Sequence, residues 1–457
     1  MNDHSRIVQS AEDIKAPVTI GVEAYVSPEY ARAESERLWR RAWLQAGRLE
    51  DIPGEGDFIT FDIGNDSVIV VRDGATSVRA FHNVCVHRGR RLVDTPKGQR
   101  NARGNKRNFI CGFHGWTYNL TGKCTYVPHA DDWQGALTED RTSLGPVKCE
   151  TWGGWLWINM DPDSVSLAEW LDPVPAMLNP YELQNMRPRW RKWIVFDCNW
   201  KVAMEAFNET YHVQTTHPEF NAFGQFRGWA RTQGLHSHIG YEAPKGLEED
   251  AGKLRTGTGD ARISTAEMQD FTWANANTNT TITLVEAARR LVDELPEGTP
   301  ATDVSRHWIA SAKATDAARG VVWPTVDPLH TAKAGTAWQI FPNFQIGHAV
   351  NNMLCYMARP FGSDPDKCIF EAAVYELYPE GDAPSTEWEY TEPGDWPPVL
   401  QQDFANMAAV QQGLKSSSFR GTLPNPYMER STASLHMNLA KFMGEGGPVK
   451  LDAIPND

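Results

Sequence analysis

Two short Cys-His segments limit what this chain can fold into more than anything else in it. Cys85-Val86-His87-Arg88-Gly89 is followed by Cys111-Gly112-Phe113-His114-Gly115-Trp116. Two thiolates and two imidazoles at these spacings suit one shared centre. It could be a tetrahedral zinc ion, or a [2Fe–2S] cluster with Cys on one iron and His on the other. Each segment places Cys before His, so two similar loops can face each other across the centre, which favours the cluster. Gly89, Gly112 and Gly115 permit tight turns that present backbone N–H groups to sulfur. Two unrelated Cys-His pairs in a core would read the same way locally, but their closeness and shared glycines argue against that. Seven cysteines in 457 residues is an odd number, thinly spread, and does not describe a disulfide framework.

The surroundings of these segments are β-rich. Phe58–Ile63, Ser67–Val71 and Val78–Phe81 are short strand-like runs broken by Gly-Asn-Asp and Asp-Gly-Ala turns, and Gly154–Asn159 closes the series. Ahead of them, Ser27-Pro28 opens a helix that Leu38, Trp39, Ala42 and Trp43 continue. Beyond Asp163 the composition is mixed. Trp193–Phe196 reads as a strand and residues 200–212 as a helix; 225–335 is polar, with helical pieces such as 283–295. Strands return at 336–344 and 368–377, and a final helix runs over 399–414. A formal charge of −14 argues against a nucleic-acid partner. No apolar run is long enough to cross a bilayer, and the first residues lack the apolar core of a secretory signal, so a cytoplasmic location is expected.

A second constellation lies in the expected helix. Glu205, Asn208, Glu209 and His212 stand at i, i+3, i+4 and i+7 and so share one face. Polar residues on one face usually mean solvent. Met204, Phe207 and Tyr211 among them, and His217-Pro218 just after, argue otherwise. Proline pushes His217 toward an extended conformation, which ends the helix and lets two imidazoles grip one metal. Two His and one carboxylate form the facial triad of non-haem iron oxygenases, leaving open positions for dioxygen. The carboxylate must arrive from elsewhere, and Asp403, on the terminal helix, is the choice.

Cys-x-His-Arg-Gly followed by Cys-x-x-His-Gly-Trp resembles the Rieske motif of ring-hydroxylating oxygenases. Glu-x-Tyr-His-x(4)-His with a late Asp resembles the catalytic pattern of the same family, the oxygenase (alpha) subunits of Rieske non-haem iron oxygenases. The resemblance implies an α+β chain: an all-β Rieske [2Fe–2S] domain over 44–162 and a helix-grip catalytic domain, an antiparallel sheet around a long helix, over 163–457. Residues 1–43 would be a helical segment packing with the catalytic domain, and 225–335 an insertion near the pocket. Cys85 and Cys111 would hold one cluster iron, and His87 and His114 the other, with Trp116 and Tyr118 beside them. His212, His217 and Asp403 would hold a mononuclear Fe(II), and Glu209 and Asn208 are the candidate catalytic residues. Glu209 departs from the family, which usually has Asp three residues before the first His, as the carboxylate linking that ligand to a neighbouring subunit's Rieske ligand. The spacing between His87 and Cys111 is also longer than usual.

By the same resemblance, electrons come from NAD(P)H through a ferredoxin and/or flavin reductase. The chain is expected to form a homotrimer, with or without a beta subunit, acting on O2 and a small organic substrate. An aromatic compound is the expected substrate; Glu209 also suits the branch that oxidises quaternary amines such as carnitine and betaines. An electron carrier or structural zinc protein would carry only the first constellation. Phe207, Trp229, Phe341, Phe344 and Met353 are the candidate pocket residues. Eight cations against Asp94 alone between Arg88 and Arg107 could receive an acidic electron donor or form a solvated turn.

Overall fold

The computed structural model describes residues 8, 10–223, 226–242 and 259–451, and they divide into two compact units. The larger holds the described residues up to Ser27, Leu171–Arg359 and those from Pro365 onward; the smaller holds Pro28–Trp170 with Pro360–Asp364. The segment expected as 1–43 is therefore divided at Ser27, where helix Pro28–Glu34 begins on the N-terminal proline. Residues 1–7 and 9 lie outside the described residues, as do 225 and 243–258 of the expected insertion.

The smaller unit is built on β-structure. A seven-stranded sheet runs, in spatial order, Leu44–Arg48, Trp155–Asn159, Pro146–Trp152, Val78–His82, Asp66–Arg72, Asp57–Ile63 and Arg103–Asn105. A three-stranded sheet, Asn108–Ile110, Thr117–Asn119 and Cys124–Tyr126, carries the second Cys-His segment at its first turn. Phe58, Ile69, Val71, Phe81, Phe109 and Tyr118 form one core, and Cys85 and Cys111 belong to it. Turn chemistry and β-branched and aromatic residues account for these strands, and the four runs delimited in the sequence, Phe58–Ile63, Ser67–Val71, Val78–Phe81 and Gly154–Asn159, match four of them to within one residue at each end.

The larger unit is organised by an eight-stranded sheet. Its order is Arg227–Gln233, His236–Glu242, Ala337–Ile340, Phe344–His348, Asn352–Phe361, Asp364–Glu376, Arg187–Phe196 and Trp388–Tyr390. The last strand runs parallel to its neighbour. The first two strands fall inside the region expected as an insertion. Arg227-Gly-Trp-Ala-Arg-Thr-Gln is too polar to show itself as a strand, because it occupies the sheet edge. Among the described residues of that region, those from Gly259 to Gly335 add helices to the two strands, including Ala261–Phe271, Ile282–Arg289 and Ala301–Ala318.

Helix Pro398–Leu414, which carries Asp403, lies where the sequence suggests it, but it is not the last helix. Arg430–Met443 follows, with every residue from Ser431 to Leu439 buried. Internal partners meet part of this buried polarity, while Ser431 Oγ, Ser434 Oγ and His436 Nδ1 have none. Thr432 Oγ1 donates to Asn208 Oδ1 at 3.1 Å, the His436 ring lies 2.7 Å from Glu205, and Asn438 donates to the Leu235 carbonyl at 3.0 Å.

Candidate metal centres and their cavity

The two Cys-His segments are built alike although their spacings differ. Cys85 N–H donates to the Arg90 carbonyl and Cys111 N–H to the Trp116 carbonyl, each at 2.8 Å. Gly89 N–H returns to the Cys85 carbonyl at 2.9 Å, and Gly115 N–H to the Cys111 carbonyl at 3.0 Å. Both glycines sit at positive φ, 75° and 72°, which closes the loop as only glycine does readily. The thiols end up buried, and the imidazoles face outward, His87 half-buried and His114 exposed. The two rings stand 4.7 Å apart, and His87 stacks on Trp116. Tyr118 Oη lies 3.1 Å from Cys85 Sγ. Burial raises the Cys85 pKa, the Tyr118 bond opposes this, and the neighbouring Cys111 thiol adds to it. Two adjacent thiols on the inside and two adjacent imidazoles on the outside fit a centre with chemically distinct ends. A two-iron cluster held by a pair of Cys and a pair of His has such ends.

The second site does not rest on the helix expected over 200–212. That helix ends at Glu205. In a continued helix Tyr211 N–H would reach the Phe207 carbonyl. Here the Gln345 side-chain amide donates to that carbonyl, and Tyr211 N–H donates to the Glu209 carboxylate. Glu209 also accepts His212 N–H at 3.2 Å, which starts the short turn Val213–Thr216. Strand Arg227–Gln233 passes this loop closely: a Cβ on Gly228 would stand 1.5 Å from Thr210 Oγ1.

The result brings His212, His217 and Asp403 together, with one donor atom from each within 4.8 Å of the others. His217 Nε2 lies 3.0 Å and His212 Nε2 3.5 Å from the same Asp403 oxygen. Two donors held about 2.1 Å from one ion sit roughly 3 Å apart, so this spacing suits a single metal. The outer nitrogens fix the rings. His212 Nδ1 is 2.5 Å from Glu209 Oε1, an acceptor only, so Nδ1 carries the proton and Nε2 is left for a metal. His217 Nδ1 donates to Gln402 Oε1 at 2.7 Å, and Gln402 Nε2 donates to Glu219 at 3.0 Å, which sets the amide's orientation. Gln402 and Glu219 escaped the sequence reading. An amide beside the ligand carboxylate on a helix is the only sign either leaves.

Burial works against a protonated His212, yet the Glu209 hydrogen bond and charge, with Asp403, carry its pKa above the ordinary imidazole value. His212, Glu209 and Asp403 face two spaces. One is an open cleft of about 1370 Å³, which Glu205 and Glu429 also line. Burial, with the charges of Glu209 and Glu205, pushes Glu429 up to about 7 although Asn425 N–H bonds to it.

The other space is a cavity of about 1100 Å³. Phe207 lines it, stacked on Tyr356 at 4.0 Å. The other expected pocket residues, Trp229, Phe341, Phe344 and Met353, do not line it and are buried in the core. Strand alternation explains two of these corrections. Gln345 lines the cavity where Phe344 turns away, and Leu354 and Tyr356 line it where Met353 does not. Asn208 is buried behind the site, bonded through Oδ1 to Thr432, with its amide nitrogen unpartnered.

Residues 183–445 match the model of the ring hydroxylating alpha subunit (catalytic domain), and residues 42–143 match the Rieske [2Fe-2S] domain. The chain belongs to the ring-hydroxylating alpha-subunit family. It is 31% identical over 195 residues to the glycine betaine monooxygenase oxygenase subunit of Pseudomonas aeruginosa, covering 43% of this chain and 44% of that one. To benzene 1,2-dioxygenase subunit alpha of Pseudomonas putida it is 33% identical over 198 residues, 42% of each. These matches span less than half the length of the curated relatives. Among solved structures, a quaternary ammonium Rieske monooxygenase bound to L-carnitine has the same fold, with a TM-score of 0.62 at 17% identity over 95% of this chain and 97% of that one. A Rhodococcus naphthalene 1,2-dioxygenase gives 0.57 at 19% identity, covering 93% and 94%. A [2Fe–2S] cluster and a non-haem iron are the cofactors characteristic of this family, and the two constellations fit them. Among the described residues no helix is long and apolar enough to cross a membrane.

Proposed function

We propose that this chain is the oxygenase component of a multicomponent Rieske oxygenase, using O2 and electrons from NAD(P)H through a reductase to hydroxylate or oxidatively demethylate an aromatic compound. The observation that carries the reading is the His212–His217–Asp403 cluster opening on a cavity walled by Phe207 and Tyr356. Cys85, Cys111, His87 and His114 hold the cluster, and His212, His217 and Asp403 hold the iron. Iron, when bound, supplies the activation of dioxygen; the chain supplies binding, orientation and exclusion of water. Glu209 keeps the Nδ1 proton of His212 and faces the open cleft. There it serves as the bridge to the next subunit's Rieske histidine in a closed ring of three. Glu209→Gln should leave both metal centres intact and slow turnover sharply; undiminished turnover refutes the bridge.

A ferredoxin or flavin reductase is the partner this reading requires. Arg88, Arg103, Lys106 and Arg107 are exposed in the smaller unit, as are Ile110 and Phe113 near His114. Such a surface suits an acidic donor.

A quaternary amine is the second reading, favoured by Glu209 in place of Asp and by the glycine betaine relative. Single turnover of the reduced protein with O2 and a mixed panel separates the two: an oxygenated aromatic supports the first, a demethylated amine the second. Metal analysis guards the class. About three irons per chain fit an oxygenase, two a carrier, and zinc without acid-labile sulfide removes the cluster.

A further inference from the structure

On the wall of the cavity of about 1100 Å³, Tyr356 combines a buried ring with an uncommitted hydroxyl. It lies on strand Asn352–Phe361, directly opposite Gln345 of the neighbouring strand, so the two side chains share the cavity face of the sheet. The ring packs nearly parallel against Phe207 at 4.0 Å and against Phe370 at 5.9 Å between centroids, which fixes where its polar end points. A buried phenol usually finds a hydrogen-bond partner. Among the described residues none bonds to Tyr356 Oη. Gln345 Oε1 and Thr210 Oγ1, from the same wall, also lack partners, but they are sealed so closely that no water-sized molecule can touch them. Tyr356 Oη is not sealed in this way, so it opens on the cavity.

Burial, with the charge of Asp403, holds this phenol well above its ordinary pKa, so near neutral pH it keeps its proton and presents a donor. The reach of that charge also sets the hydroxyl toward the end of the cavity where Asp403 stands with His212 and His217. A bare hydrocarbon ring entering here would leave the donor without a partner and lose binding; a ring that brings an acceptor supplies one. We propose that Tyr356 is a specificity-determining residue whose hydroxyl donates a hydrogen bond to a ketone or ether oxygen borne on the substrate's aromatic ring. The oxygen-bearing side of the ring is then the part held toward the metal ligands. This rests on the reading of the site as an aromatic oxygenase and narrows it by functional group.

The test uses the intact protein with its iron and cluster, kept anaerobic, and two probes of one shape: acetophenone, and α-methylstyrene, in which a methylene group replaces the carbonyl oxygen. In calorimetric titration the preference for the ketone over the alkene should fall about three- to tenfold in Tyr356→Phe. Comparing probes and variants together cancels the difference in hydration between the probes, and a merely structural tyrosine would weaken both alike. A second measurement works even without the variant. With an isotope-labelled carbonyl, the infrared band of acetophenone bound to the native protein should lie below its position in a hydrocarbon solvent, and return there in Tyr356→Phe. A preference or a band that the variant leaves unchanged, a hydrocarbon-like band in the native protein, or no binding of the ketone overturns the proposal. Oxygen admitted to the reduced ketone complex then tests the underlying reading separately. A shifted band with no oxygenated product defeats the oxygenase reading and leaves the Tyr356 hydrogen bond standing.

Discussion

Gln402 shows how much a site can depend on a residue that touches no metal. Its carbonyl accepts the Nδ1 proton of His217, and Glu219 holds its amide in that orientation. Gln402→Leu removes the acceptor, frees the ring to rotate and should weaken Fe(II) binding about 10- to 100-fold. Iron retained against graded chelator measures this, and the visible spectrum of the cluster should not change. Gln402→Glu, which keeps an acceptor, should retain iron. Two other imidazoles, His238 and His348, make no hydrogen bond through either ring nitrogen. Burial holds them at about 4 and about 3. An unfolded imidazole takes up its proton near pH 6.5, well before these do, so the unfolded state binds more protons over that interval. Stability should hold above about pH 6.5 and fall by a few kcal/mol as pH drops toward 4, read as the urea midpoint at each pH. His348→Phe should flatten part of that fall.

At the scale of elements, the loop after Glu205 is held by tertiary partners. Gly228→Ala would drive a methyl group into Thr210 and push the loop aside, at about 1–3 kcal/mol of stability, with lower iron occupancy at unchanged cluster content. This loop also marks where the sequence stops being legible. Cys85, His87, Cys111 and His114 are readable because their turns are local, closed by glycines four residues from each cysteine. Asp403 is readable because its helix has its own proline start. The helix end at Glu205 is not: Phe207 and Asn208 N–H turn to the carbonyls of Met204 and Glu205, three residues back, and Gln345, far along the chain, takes the Phe207 carbonyl so that the helix cannot resume at Tyr211. Helix Arg430–Met443 hides for a related reason. Its Thr432, His436 and Asn438 look like a solvated face until Asn208, Glu205 and Leu235 are seen to satisfy them. Phe344 and Met353 failed as pocket residues by alternation, because apolar character does not say which way a strand residue points.

At the scale of the whole molecule, an acidic chain of net charge −14 carries a local run of cations in its Rieske domain. Electron donation to the cluster should slow several-fold between about 0.05 and 0.3 M salt, as screening shortens the reach of that patch. A rate independent of salt removes the cationic surface from partner recognition. Gln345 has a wider consequence. It stands on the cavity wall, and its amide fixes the Phe207 carbonyl that shapes the loop bearing Glu209 and His212. Occupancy of the cavity and occupancy of the metal site therefore draw on one side chain, and their equilibria are thermodynamically linked. Reciprocity then fixes the arithmetic: whatever factor a bound aromatic applies to iron affinity, iron applies to the aromatic, and Gln345→Leu should reduce the part of it that runs through the loop while leaving the part set by His212, His217 and Asp403 on the same wall.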